Sequence, residues 1–268
     1  MRNWKTMNDI DVREYFVDFG IKLRNGTVEF ATELPPYDRT FVYALGLAHG
    51  VKEAILCGYE QLAAVEFGVF FGIGLRHLCR AAQFFRDDLG ISINVYGFDS
   101  AAGLPALTGG YKDHPELFHE GAFVLPDQDA LRATLPDFCE LIIGDVAHTV
   151  SGFRAKLADR QLAFAAYDLD LYSSTKSALE LLKFDAGCYL PAVPLYFDDM
   201  EDALPLSDWA GEKLAIREFN KENQIRKIDR KSRQVFHIPH FHVCQIFDHP
   251  MRQGGDVRPR FPLGLAAF

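Results

Sequence analysis

The stretch VEFGVFFGIGL, residues 65–75, decides how the chain is organised, because it joins a short apolar run to a cluster of glycines. Residues 62–67 have the length and composition of a buried strand, and apolar residues recur at helical spacing after residue 75. Glycines between a strand and a helix let backbone N–H groups approach a ligand closely, since no Cβ intervenes. The stretch therefore predicts a βα turn that binds a nucleotide-like ligand. The alternative is that the glycines only allow a tight turn.

Four further apolar runs follow, namely residues 93–99, 139–145, 162–170 and 192–199. Helical patterns separate most of these runs, and strands that are apolar on both faces indicate a parallel sheet covered on both sides. The predicted fold class is therefore α/β. In open sheets of this kind, ligands bind outside the carboxyl ends of the strands. Acids gather at those ends, and they are Glu66, Asp99, Asp145, Asp168, Asp170, Asp198 and Asp199.

The two ends of the chain depart from this alternation. Residues 233–250 carry two extended runs around Pro239, which predicts an antiparallel hairpin at one sheet edge. The preceding basic stretch, 221–233, is interpreted as a solvated helix end and loop. Residues 1–60 look mainly helical and are predicted to form a lid or substrate segment before a catalytic domain at 61–268.

The composition of the chain argues against some classes of binding partner. The chain has 28 basic and 37 acidic residues and a formal net charge of -9, which opposes binding to nucleic acid or anionic membranes. A small-molecule partner is the better expectation, and a homo-oligomer is possible. No apolar stretch is long enough to span a bilayer and the start is too polar for a signal peptide, so we expect a cytoplasmic protein. The scattered cysteines lack a CxxC pair and indicate reduced thiols.

The acid that ends the second strand points to a ribose. Asp99 lies where nucleotide-binding folds hold two ribose hydroxyls, which an ionised carboxylate accepts. The glycine order is E-x-G-x-x-x-G-x-G, so the G-x-G-x-x-G order of the NAD fingerprint is absent. On these residues alone, NAD and other adenosine cofactors stay open.

A set of motifs resembles a known family. In order, these motifs are VEFGVFFGIGL, VYGFDSAAGLP, GDVAHTV, YDLDLYSSTKSALELL, FDDM and GEKLAIREF. Together they resemble the class I S-adenosylmethionine-dependent methyltransferases, and within these the macrocin O-methyltransferase group. The resemblance implies a Rossmann-like, seven-stranded, mostly parallel sheet with an antiparallel C-terminal hairpin strand, helices on both faces, and S-adenosyl-L-methionine as cofactor.

The same resemblance implies positions for that cofactor. Glu66 and Gly68 would lie at its methionine part, Asp99 with Ser100 at the ribose, and Asp145 with Val146 at the adenine. The full set of candidate cofactor-binding residues is Glu66, Phe67, Gly68, Gly72, Gly74, Asp99, Ser100, Asp145, Val146 and Asp168.

A second cluster of acids is a candidate metal site. Asp168, Asp198 and Asp199 end adjacent parallel strands, whose spacing of about 4.8 Å would bring their carboxylates together. A hard divalent cation removes the resulting repulsion and leaves positions for two substrate oxygens. The resemblance implies Mg²⁺ at these acids and O-methylation of a polyhydroxylated small molecule, such as a glycoside or another natural product.

A base must take the hydroxyl proton. Asp170 lies two residues beyond Asp168 and would share its strand face if the strand persists. His240 and His242 are further candidates, because histidine titrates in the useful range. The candidate catalytic residues are Asp170 and His242.

Two other functions stay open. A metal-dependent glycosyltransferase could use the DLD motif, residues 168–170, to hold the diphosphate of a nucleotide sugar. A non-catalytic binding protein is the other, since Ala101 and Ala102 stand where the family usually has an aromatic residue and an acid.

Overall fold

The structure, a computed structural model, describes residues 21–24, 27–30, 39–201, 205–231 and 239–253. Two short strands, β1 (Ile21–Arg24) and β2 (Thr27–Phe30), pair with each other. The main sheet contains β3 (Gln61–Phe67), β4 (Ser92–Asp99), β5 (Cys139–Ile143), β6 (Gln161–Tyr167), β7 (Ala192–Phe197), β8 (Arg226–Arg230) and β9 (Phe241–Ile246). The α-helices are α1 (Arg39–Cys57), α2 (Ile73–Leu89), α3 (Gln128–Arg132), α4 (Val146–Leu157), α5 (Tyr172–Ala178) and α6 (Gly211–Glu222).

The main sheet has seven strands in the order β5-β4-β3-β6-β7-β9-β8. The first five strands of this order are parallel, and β9 runs antiparallel to both β7 and β8. Helices α1 and α2 pack on one face, and α4 and α5 pack together on the other. The predicted fold class is confirmed: a seven-stranded, mostly parallel sheet with antiparallel C-terminal strands and helices on both faces.

The topology determines where a ligand fits. The chain runs outward from β3 through β4 to β5 and then returns to β6 on the other side of β3. The connections after β3 and β6 therefore diverge, which opens a crevice at the carboxyl ends of these strands. Both strands are deeply buried, β3 at every residue after Gln61 and β6 at every residue after Gln161, as expected for a sheet covered on both faces.

Residues 1–60 were expected to be mainly helical, and the structure agrees only in part. Helix α1 agrees with this expectation, whereas residues 21–24 and 27–30 are paired strands in which Ile21 and Val28 are buried. Helix α1 packs against α2, β6 and β7 in the core. The division into a substrate-covering segment at 1–60 and a catalytic domain at 61–268 stays a prediction.

The C-terminal hairpin uses a different first strand from the expected one. Strand β9 lies within the second extended run, and its hairpin partner is β8, inside the stretch interpreted as a helix end and loop. That interpretation was wrong for Arg226–Arg230, where Arg226 and Ile228 alternate as buried residues. The first extended run, 233–238, lies outside the described residues.

Three predicted strands were drawn too long at their carboxyl ends. Strand β5 ends at Ile143, β6 at Tyr167 and β7 at Phe197, so the acids that follow them lie in loops. As for membranes, none of the helices in the described ranges has the length and apolar character needed to cross one.

Close packing of α1 on β6 yields a stability prediction. A Cβ at Gly50 would collide with the backbone oxygen of Ala163, which cannot move without distorting β6. We expect Gly50→Ala to lower the free energy of unfolding by about 1–3 kcal/mol, as overpacked cores do. Gly152→Ala in α4 is the matched control, because a Cβ there meets open space; it should raise stability by about 0.5–1 kcal/mol. Urea unfolding of both variants measures the difference, and equal effects would contradict the packing.

Candidate functional site

A cavity of about 730 Å³ opens at the carboxyl ends of the central strands. Of the predicted site residues, those that line it are Phe67, Gly68, Asp99, Ser100, Asp145, Val146, Asp168, Asp170 and Asp198. The predicted residues outside its lining are Glu66, Gly72, Gly74, Asp199 and His242. The structure thus places most of the predicted residues at one cavity, while two of the three glycines, two acids and the histidine lie outside its lining.

Gly68 joins the two strands that flank the crevice. Its φ is +83°, and a Cβ there would collide with the backbone oxygen of Asp168. Its N–H donates to Phe98 O at 2.9 Å, and the Asp168 N–H donates to Phe67 O at 3.0 Å, so the strand pairing continues into both turns. A glycine is required at residue 68 because the loops after β3 and β6 meet there.

Asp99 organises the turn after β3. Its Oδ2 accepts the N–H groups of Val69 and Phe70, both at 2.9 Å, and its Oδ1 accepts the Ala101 N–H at 2.7 Å. The carboxylate also lines the cavity. A carboxylate has about four lone-pair sites, so three backbone donors leave acceptor capacity for a hydroxyl of a ligand.

The other glycines of the turn have packing roles. Gly72, at φ +73°, is the residue before α2, and a Cβ there would collide with the Leu131 side chain. A Cβ at Gly74 would collide with Glu66 Oε1, so Gly74 makes room for a carboxylate that is only 1 % exposed. Glu66 thus lies against the first turn of α2, where the helix N-terminus favours negative charge.

The loops after β4 and β5 complete the predicted cofactor side. Ser100 Oγ donates to Gly103 O at 2.7 Å and accepts the Ala102 N–H at 3.0 Å, which closes a tight turn against the cavity. Asp145 is the N-cap of α4, and its Oδ1 accepts the Ala147 N–H at 2.9 Å.

A buried acid that was not predicted lies behind the second acidic cluster. Glu212, near the start of α6, has no solvent exposure, and its carboxylate accepts the N–H groups of Leu169 and Asp199 at 3.3 and 3.1 Å. Burial, followed by the charges of Asp199, Asp198 and Asp168, raises the pKa of Glu212 well above its usual value. The acid was missed because a glutamate in the first turn of a helix is usually solvated.

The predicted magnesium site is not shown by the structure. Asp168 and Asp198 line the cavity, while Asp199 does not. Tyr196 donates its hydroxyl hydrogen bond to Asp198 Oδ1. Within the ranges that the structure describes, no three histidine, cysteine, aspartate or glutamate side chains are placed to hold a metal ion.

The two candidate bases lie in different environments. Asp170 lines the cavity, but β6 ends before it and its φ is +59°, so the expectation that it continues the strand face of Asp168 was wrong. His242 is buried on β9, with Nδ1 3.2 Å from His240 O and its ring 5.2 Å from that of Phe197. Burial lowers the pKa of His242 to about 4, which makes it a weak proton acceptor at neutral pH.

A segment at residues 101–123 covers one side of the cavity. Leu104 and Gly121 both line it and are joined by the Gly121 N–H to Leu104 O bond of 2.9 Å. Buried Asp113 anchors the segment to α5 by accepting the N–H of Ser173 at 2.8 Å and its hydroxyl at 3.1 Å. The ring of Phe123 meets that of Phe70 edge to face at 5.7 Å, which closes the wall above the glycine turn.

A charged cluster fixes the same segment from outside. Glu218 on α6 accepts hydrogen bonds from Lys176 Nζ at 2.6 Å, the Tyr172 hydroxyl at 2.6 Å and Lys112 Nζ at 3.1 Å. These bonds, that from Lys176 foremost, lower the pKa of Glu218 to about 2. The segment is therefore connected to α5 and α6 by ionic as well as by buried contacts.

Comparison with known proteins supports the fold. No family model and no curated protein matches the sequence. A solved structure of CalS11, described as a calicheamicin methyltransferase, is similar over 75 % of this chain and 77 % of its own, with 23 % identity and a TM-score of 0.51. The O-methyltransferase NovP is similar over 80 % of this chain and 84 % of its own, with 20 % identity and a TM-score of 0.52. The chain thus has the Rossmann-like fold seen in these methyltransferases.

The burial of His242 yields a pH prediction. Its pKa falls from 6.5 to about 4 on folding, so the unfolded chain binds more protons between these values and stability drops as the pH falls through that window. We expect His242→Gln to reduce the slope of unfolding free energy against pH by up to about 1.4 kcal/mol per unit there. His148→Gln is the control, because the His148 side chain is 84 % exposed. Urea titrations at several pH values measure the slope, and an unchanged slope would show that His242 is not buried as described.

Proposed function

We propose that the chain is an S-adenosyl-L-methionine-dependent O-methyltransferase that acts, with a divalent cation, on a hydroxyl of a polyhydroxylated small molecule. The carrying observation is one cavity lined on one side by Gly68, Asp99 and Asp145 and on the other by Asp168, Asp170 and Asp198. The first set supplies acceptors for an adenosyl ligand, and the second lies next to it at the ends of β6 and β7. The resemblance to the macrocin O-methyltransferase group supports the same proposal.

Two observations support the proposed class of methyl acceptor, namely the similar solved structures and the residues that line the cavity. CalS11 is described as a calicheamicin methyltransferase, and we propose a glycoside or another natural product as acceptor here. The acidic residues at the cavity suit hydroxyl groups, while Phe70, Phe123 and Leu104 supply apolar contact. We also propose a cytoplasmic location, supported by the free thiols of the described cysteines.

The bound cofactor would supply an electrophilic methyl group on a sulfonium. For the proton, Asp170 is the better placed of the two candidate bases, because it lines the cavity whereas His242 is buried outside its lining. The Asp170 carboxylate would accept the hydroxyl proton of the acceptor, and transfer of the methyl group to that oxygen would leave the cofactor sulfur as a neutral thioether. The segment at residues 101–123 would exclude water. The loops around the cavity would hold the acceptor oxygen in line with the methyl group.

The acids fit a magnesium ion by chemistry. Carboxylate oxygens are its preferred ligands, and a cation would offset the repulsion among neighbouring acids. Asp168, Asp198 and Asp199 would hold it. The ion would lower the pKa of the acceptor hydroxyl and orient its oxygen.

Gly68 offers a test of the cofactor. S-adenosylmethionine at saturating concentration should raise the melting temperature by roughly 5–10 °C, as a ligand at about 100 times its Kd does. Gly68→Ala should abolish that shift, because its Cβ would push apart the loops that form the cavity. Gly90→Ala is the matched control, with a φ of +69° but open space around its Cβ, and should keep the shift. A rise in melting temperature with a nucleoside diphosphate sugar, and none with S-adenosylmethionine, would favour a glycosyltransferase instead.

A second prediction separates the cation from the cofactor. Asp198→Asn should lower Mg²⁺ affinity in calorimetric titration by about tenfold or more, because one ionised ligand is lost. The thermal shift with S-adenosylmethionine should persist, since Asp198 is not among the candidate cofactor-binding residues. Magnesium binding that is equal in the variant and the wild type would refute this ligand assignment.

A further inference from the structure

Glu212 occupies an unusual position for a carboxylate. It is fully buried, and it lies between the loop that follows β6 and the loop that follows β7. A buried polar side chain is unfavourable unless its oxygens are hydrogen-bonded, so the partners of this side chain indicate its role. Its two oxygens each accept one backbone N–H, and the two donors come from different loops.

The donors identify what the carboxylate holds. The Leu169 N–H donates to Oε1 at 3.3 Å, and Leu169 is the residue between Asp168 and Asp170. The Asp199 N–H donates to Oε2 at 3.1 Å, next to Asp198. One side chain on α6 therefore links the backbones that carry both halves of the acidic cluster.

We propose that Glu212 is a positioning residue that sets the separation between the loop bearing Asp168 and Asp170 and the loop bearing Asp198 and Asp199. The inference builds on the proposed function, because it assigns these loops a joint task in holding a cation and an acceptor. Glu212 acts through the backbone and does not line the cavity. It corresponds in kind to the outer partners that orient metal ligands elsewhere, whose loss lowers metal affinity by about 10–100-fold.

The first experiment tests the bridge in metal-free protein. Glu212→Gln keeps the shape of the side chain but presents an amide N–H to one of the two backbone donors, so one hydrogen bond must be lost. We expect the amide hydrogens of Leu169 and Asp199 to exchange faster in this variant, measured by residue-resolved hydrogen exchange. Glu222→Gln, at the exposed end of the same helix, is the matched control and should leave both amides unchanged. Equal exchange in all three proteins would overturn the proposal.

The second experiment connects the bridge to the site. In calorimetric titration, Glu212→Gln should bind Mg²⁺ about tenfold more weakly than wild type or more, while its thermal shift with S-adenosylmethionine stays as in wild type. The retained shift shows that the variant is folded. Glu212→Ala should weaken Mg²⁺ binding further, since both bonds are lost. Unchanged magnesium affinity in both variants would overturn the positioning role.

The same measurements distinguish failure of this inference from failure of the proposed function. A wild-type protein that gives no thermal shift with S-adenosylmethionine contradicts the proposed function, and the exchange of the Leu169 and Asp199 amides then still decides the bridge. A wild-type protein that binds S-adenosylmethionine but no Mg²⁺ overturns the cation and, with it, the part of the inference that concerns metal affinity.

Discussion

The close approach of Gly68 to the backbone of Asp168 is the constraint on which the site depends. It holds the carboxyl ends of β3 and β6 together at the point where the chain changes direction across the sheet. The connections beyond these strands leave on opposite sides, so a cavity forms between them without any loss of strand pairing. A side chain at residue 68 would separate the loops after β3 and β6, and the two parts of the cavity wall that they form would no longer meet.

Negative charge accumulates around this cavity, and the fold compensates for it in different ways. Asp99 is balanced by backbone N–H groups, and Asp145 by the first turn of α4. Glu212 receives two backbone donors but faces three other carboxylates. The acids after β4 and β5 thus accept hydrogen bonds from backbone N–H groups, whereas those after β6 and β7 lie close to a fully buried glutamate. The two groups of acids at the cavity are therefore held in different electrostatic environments.

Much of the fold was predictable because buried strands appear in the sequence as short apolar runs. The acids at the ends of these runs predicted where the cavity lies. The carboxyl ends of the strands were harder, since residues 168–170 alternate like a strand while Asp170 adopts a φ of +59°. Strand β8 was missed because Ile225 and Ile228 are the only two apolar residues in the basic stretch 221–233. The β1–β2 pair had a signal that was overlooked, the Asn25-Gly26 dipeptide. Glu212 could not be found, because its burial arises from packing between distant loops.

The hydrogen bonds of Asp99 have a consequence for how the cavity meets a ligand. Because this carboxylate already holds Val69, Phe70 and Ala101, the turns after β3 and β4 have their shape before a ligand enters the cavity. The conformational entropy of ordering those turns is lost during folding rather than during association. A ligand that contacts this wall would therefore bind at a lower cost in conformational entropy than at a loop that orders on binding.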